Sequence, residues 1–236
     1  MLIPYRDDNP TYRVPIVTLS LIVLNTLIFI YYRLLVSTSE SEFYAILSDV
    51  GLIPRQFFSK HLIIGWHGVP TPLRLFTAMF MHGGFLHLVG NMLYLWIFGN
   101  NVEDYFGSFK FLLFYFGAGL GASMAFLLTN PTSTSPMVGA SGAIAGVLGA
   151  YLVLYPHARV HALLFLLFFF TTITLPAGVV LSLWIVIQII NGLGDFGAQT
   201  SGVAWFAHIG GFFCGIMLLK TIPPRRKFYR RTLIKI

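Results

Sequence analysis

The stretch Val138–Tyr151, "VGASGAIAGVLGAY", carries no charge, and Gly or Ala fills most of its positions. Gly142, Gly146 and Gly149 recur at helical spacing and lay a smooth strip along one side of a helix. Small residues at that interval let two helix backbones approach closely inside a bilayer, where packing holds helices together. Ser141 is the anomaly: Ala would pack as well in its place between Ala140 and Gly142. Either the hydroxyl merely fills a tight interface or it does chemistry.

The composition places this helix in a membrane. Of 236 residues, 56% are hydrophobic and 10% charged, with a mean hydropathy of +0.78. A soluble domain of this length would carry about 25% charged residues. The single cysteine, Cys214, excludes an internal disulfide. The net charge of +7 would suit a nucleic-acid binder, but seven of the fifteen Lys and Arg residues fall between Lys220 and Lys235. A basic tail directly after an apolar segment reads instead as an anchor on anionic lipid headgroups. No aromatic-basic groove pattern accompanies the charge, so no nucleic-acid partner is expected.

A span needs about 20 mostly apolar residues. Six segments are candidates: about 14–36, 85–98, 109–128, 141–155, 177–190 and 204–220. The fold class is therefore all-α, a six-helix polytopic bundle. It divides into a polar N-terminal segment 1–13, a membrane domain 14–220 and a basic tail 221–236. No cleavage-site pattern precedes the first apolar run, so a retained helix is expected from Val14. Residues 37–73 form a long first loop with short amphipathic helices at the interface. The apolar run "HALLFLLFFFTTITLP", His161–Pro176, reads as an interfacial loop rather than a seventh span. With both termini inside, Arg6, Arg13, Lys110, Arg159 and the seven tail residues face the cytoplasm, against Arg33, Arg55, Lys60 and Arg74 outside. The expected location is the plasma (inner) membrane.

In that topology the second, fourth and sixth helices run inward, so residues near their starts share one depth. His87 and Asn91, four apart on one helix face, Ser141 and His208 all lie there. Gly211 and Gly215 on the sixth helix match the strip on the fourth and would draw His208 towards Ser141. A serine hydroxyl needs a base, and histidine titrates in the useful range. His87, Asn91 and the Ser141 backbone N–H could donate to an oxyanion. No orienting carboxylate is evident; of the eight acidic residues only Asp195 could approach His208, so a dyad is expected. Zinc is set aside: His82 and His87 point about 140° apart on a regular helix, without an HExxH motif.

These residues resemble the rhomboid family of intramembrane serine proteases. The matching strings are "HGGFLHLVGNM" (His82–Met92), "GASGAIAG" (Gly139–Gly146) and "AHIGGFFCG" (Ala207–Gly215), within a resemblance running from about Arg74 to Leu219. The resemblance implies a six-helix core that cleaves transmembrane or membrane-proximal segments of other membrane proteins, with no metal or cofactor. By motif position Ser141 would be nucleophile, with Gly139 and Gly142 beside it, and His208 the general base. His87 and Asn91 would complete the oxyanion hole, and His82 would support them. Arg74 and Glu103 match a family pair that braces the first loop. Two departures stand out: Leu73 replaces a frequent Trp, and Ala145 replaces an aromatic that stacks on the catalytic histidine. The alternative function is a non-proteolytic membrane-protein binding or chaperone-like factor on the same fold. A transporter is a weaker option, since no two-half repeat is evident.

Overall fold

The computed structural model describes residues 2–59, 69–166, 169–196 and 202–225. Strand β1 (Leu2–Asp7) leads to helix α1 (Ile16–Ile30), which continues as a π-helical turn over Tyr31–Val36. The first loop holds α2 (Glu40–Val50), α3 (Pro54–Phe57) and α4 (Arg74–Thr77). Helix α5 (Phe85–Tyr94), a π turn at Leu95–Gly99 and α6 (Asn100–Phe106) make one unbroken helical run. Then follow α7 (Ser108–Thr129), α8 (Ser141–Leu154), strands β2 (Arg159–Leu166) and β3 (Phe169–Pro176), α9 (Ala177–Gly194) and α10 (Trp205–Thr221).

Among the described residues, three helices are long and apolar enough to cross a membrane: Ile16–Leu34, Ser108–Thr129 and Ala177–Gly194. Helices α8 and α10 are apolar but shorter. At 1.5 Å per residue α7 is about 33 Å long, enough for a hydrocarbon core. Helix α8 sits in the middle of the molecule, with every residue from Gly142 to Tyr151 buried. Its glycine strip does what its spacing predicts. A Cβ on Gly211 would run into the carbonyl of Gly142, and one on Gly215 into the backbone of Gly146. Helices α8 and α10 therefore touch backbone to backbone, which only glycine permits. On the other side of α8, a Cβ on Gly142 would lie 2.6 Å from the Ala122 Cβ of α7.

The sequence reading of an all-α fold needs correction, because a small antiparallel sheet of order β1-β2-β3 accompanies the helices. The run 161–176, expected as an interfacial loop, is most of a β-hairpin, with Leu163 opposite Thr172 and Val160 opposite Leu175. Phe169, Phe170, Thr171, Thr172, Ile173 and Thr174 are aromatic or β-branched, and such side chains suit a pleated strand better than a helix. Within the polar segment 1–13, residues 2–7 add a third strand, with Leu2 opposite Leu164 and Asp7 opposite Val160. Tyr151 of α8 donates to the Asp7 carboxylate at 2.5 Å, tying that strand to the helix core.

Two buried ionic residues hold the bundle at different places. Glu103, in α6, accepts from the N–H groups of Val17 (3.0 Å) and Thr18 (2.8 Å) and from the Thr18 hydroxyl (2.8 Å). The N-cap residue of α1, Pro15, has no side chain that can cap, so this carboxylate satisfies the helix's first orphan N–H groups and meets the positive end of its dipole. Arg74 donates to the Gln56 side-chain carbonyl at 2.7 Å and to the Ser48 carbonyl at 3.3 Å, and so braces the first loop. The two do not bond to each other; Glu103 braces α1 and not the first loop.

Candidate active site

Ser141 is the first residue of α8, and the turn before it is fixed by Gly139. Gly139 has φ +123°, outside the usual range of residues with a side chain, and its N–H donates to the Ala78 carbonyl at 2.8 Å. A Cβ there would stand 2.8 Å from His87 Nε2 and 3.6 Å from Ser141 Oγ. Glycine at 139 thus serves twice: it allows the turn that opens α8, and it lets the His87 ring come in beside the serine.

His208 lies within the first turn of α10, with Nε2 2.8 Å from Ser141 Oγ. The backbone contact of α8 with α10 at Gly142–Gly211 brings these two helix starts together. On its other side, His208 Nδ1 lies 2.8 Å from the side-chain oxygen of Gln188 in α9. The ring is flanked by Trp184 (centroids 5.8 Å apart) and by Trp205, edge-on at 6.4 Å. These two tryptophans, from α9 and α10, pack the histidine.

His87 and Asn91 share one face of α5, as their spacing predicts: the Asn91 amide donates to the His87 carbonyl at 3.0 Å. The Gly83 N–H approaches His87 Nδ1 at 3.4 Å, which leaves Nε2 to carry the ring proton and point towards Gly139 and the serine. His82 is buried and packs edge-on against His87, with ring centroids 5.2 Å apart. Among the described residues no three His, Cys, Asp or Glu side chains gather as a metal-binding group. Ser141, His208, His87 and Asn91 all line one cavity of about 960 Å³, with Trp184 and Tyr44 also in its wall.

The site residues read from the sequence divide cleanly. Ser141, His208, His87, Asn91, Gly139 and Gly142 come together; His82 stands behind His87. Arg74 and Glu103 lie outside the cavity lining. Gln188 and Trp184 escaped the sequence reading, and the only available signal was a buried amide within a helix that is otherwise mostly apolar. After His208's partners on it, α9 runs on to Gly194; residues 197–201, in the connection to α10, lie outside the described residues.

An arrangement of hydroxyl, base and donors around one cavity is suited to acyl transfer, and the sequence that builds it is similar to those of known proteins. Residues 70–225 match the family described as the rhomboid domain. The chain is 38% identical over 162 residues to "Rhomboid protease GluP" of Bacillus subtilis, covering 68% of this chain and 28% of that protein. It is 29% identical over 173 residues to "Rhomboid protein 1, mitochondrial" of Saccharomyces cerevisiae, covering 69% of this chain and 45% of that one. It is 34% identical over 152 residues to "RHOMBOID-like protein 1" of Arabidopsis thaliana, covering 61% and 33%. The chain thus spans less than half the length of each of these relatives. The matched span takes in all three motifs and more than half of the residues: this chain is an integral membrane protein belonging to the rhomboid family.

Proposed function

We propose that the protein is an intramembrane serine endopeptidase that cleaves transmembrane or membrane-proximal segments of other membrane proteins, with Ser141 as nucleophile and His208 as base. The observation that carries this reading is the 2.8 Å contact between Ser141 Oγ and His208 Nε2 inside a large cavity within the helix bundle. Membership of a family with relatives named as proteases supports it.

The steps follow from the geometry. Ser141 Oγ attacks the scissile carbonyl carbon while its proton passes to His208 Nε2. The oxyanion that forms faces the Asn91 amide, the His87 Nε2–H and the Ser141 N–H, preset donors in a site of low dielectric. Collapse breaks the C–N bond, and His208 delivers the proton to the leaving amine. Water, deprotonated by the same imidazole, then attacks the acyl carbon, and the C–Oγ bond breaks as His208 returns the proton to Ser141 Oγ. An intact substrate helix hides its carbonyls behind its own hydrogen bonds, so the segment must unwind locally before it reaches Ser141.

The same proposal includes six spans: α1 with its π turn, α5–α6, α7, α8, α9 and α10. Both termini face the cytoplasm of a cell whose plasma membrane holds the protein, and the cavity opens on the opposite side. The excess of Lys and Arg on the inner segments supports that orientation. The test is cleavage of a single-span substrate protein in liposomes. If nucleophile and base act as a unit, Ser141→Ala and His208→Ala each lose on the order of 10⁴-fold or more. Undiminished cleavage by Ser141→Ala overturns the assignment of the nucleophile, whereas wild-type protein that cleaves nothing favours a non-proteolytic binding role.

A further inference from the structure

We propose that Gln188 completes the assembly as a positioning residue, an uncharged third member that holds His208 in the tautomer able to accept the Ser141 proton. The proposal rests on the Ser141–His208 reading above. It starts from atoms that can bond in only one sense. The Trp184 carbonyl can only accept, and the Gln188 side-chain nitrogen lies 3.4 Å from it. That contact turns the amide so that its oxygen faces His208 Nδ1, at 2.8 Å. An amide oxygen also only accepts, so Nδ1 must be the nitrogen that carries the proton. Nε2 is then a bare lone pair aimed at Ser141 Oγ, and the hydroxyl must donate to it. The proton position needed for attack is set in a chain from the backbone of α9 to the serine.

Burial makes that chain decisive. Gln188 is 6% exposed, so water cannot readily stand in for it, and the Trp184 and Trp205 rings hinder the imidazole from turning to another partner. Soluble serine hydrolases use a carboxylate for this purpose, which also stabilises the imidazolium that forms during attack. A carboxylate within a membrane bundle carries a heavy desolvation cost, whereas an amide supplies the same direction without the charge. Gln188 therefore acts on orientation, and its loss is expected to cost far less than loss of the nucleophile. It also places the orienting group on α9, apart from the nucleophile on α8 and the base on α10, so the assembly is complete only while α9 is seated against α10.

The experiment uses the full chain with a single-span substrate in liposomes and the variants Gln188→Met and Gln188→Glu. Met keeps the unbranched shape and removes the acceptor; Glu restores an acceptor. The expected result is a kcat for Gln188→Met that falls roughly 10- to 100-fold. KM and the melting temperature stay as in wild type, and Gln188→Glu recovers most of the loss. In parallel, ¹⁵N spectra of labelled histidine in the wild-type protein should show His208 as the Nδ1–H tautomer. A kcat for Gln188→Met within about twofold of wild type, or a wild-type His208 protonated on Nε2, overturns the proposal. Wild-type protein that cleaves nothing overturns the protease reading instead, and the tautomer measurement still decides the role of Gln188.

Discussion

At the scale of single residues, the site depends as much on what is absent as on what is present. Gly139 offers the sharpest case. Its φ of +123° costs a residue with a side chain about 1–3 kcal/mol of strain, and the new methyl would sit 2.8 Å from His87 Nε2. Gly139→Ala is therefore expected to push His87 out of the oxyanion position and cut cleavage at least tenfold, by about 1.4 kcal/mol or more in barrier. Kinetics beside a melting curve check this: activity should fall by much more than stability does. The four polar residues most responsible for the proposed chemistry were legible in the sequence because each interrupts an apolar helix near its start. Gln188 was not. One amide in an apolar helix has no periodic partner, and nothing in its spacing tells that it faces His208.

At the scale of elements, the α8–α10 crossing is the joint on which the dyad hangs. The glycines at 142, 146, 211 and 215 pack backbone on backbone, so a branched side chain cannot be accommodated by a rotamer change. Gly211→Val should force the helices apart, lower the melting temperature by several degrees (an overpacking cost of about 1–3 kcal/mol) and separate His208 from Ser141. Thermal unfolding in detergent, with cleavage measured at low temperature, tests both effects. These helices and their close approach could be read from GxxxG spacing alone. The sheet could not. An unbroken apolar run such as His161–Pro176 gives the same hydropathy as a buried helix, and only its β-branched and aromatic second half argues for strands. The pairing of β1 with β2 is set by contacts some 150 residues apart in the chain, visible in Asp8 bonding His161.

That sheet carries its own pH dependence. Burial raises the Asp7 carboxyl above the usual carboxylate range, outweighing the Tyr151 hydroxyl that donates to it. A carboxyl raised on folding stabilises the folded form fully below its unfolded value of about 3.9, and that contribution is lost as pH rises through the raised value. Hydrogen exchange of the β1 amides, corrected for the intrinsic rate, should therefore show protection that falls as pH climbs across this window. In Asp7→Asn the dependence should flatten. Protection in wild type that instead rises with pH across the window contradicts the assignment.

At the scale of the whole molecule, the account requires six crossings, although among the described residues only three helices are both long and apolar enough to cross by themselves. The short α8 lies at the centre, where neighbouring helices satisfy what lipid cannot, and the short α10 packs one face against it; their shortness fits a cavity let in from one side. In a Cys214→Ser background, a cysteine at Thr134, between α7 and α8, should react with an impermeant thiol reagent from outside the cell. One at His157, just after α8, should react only after the membrane is opened. The reverse pattern would invert the topology, and equal labelling would contradict a span at α8.

The central claim is that the hydroxyl of Ser141 is made nucleophilic by His208. It is tested most directly by treating the purified protein with a fluorophosphonate and mapping the adduct by mass spectrometry. The reaction forms an Oγ–P bond, releases fluoride and passes the serine proton to the imidazole. The account predicts one adduct, on Ser141, that is absent from Ser141→Ala and forms far more slowly in His208→Ala. An adduct that persists in Ser141→Ala, or forms at an unchanged rate in His208→Ala, would contradict it.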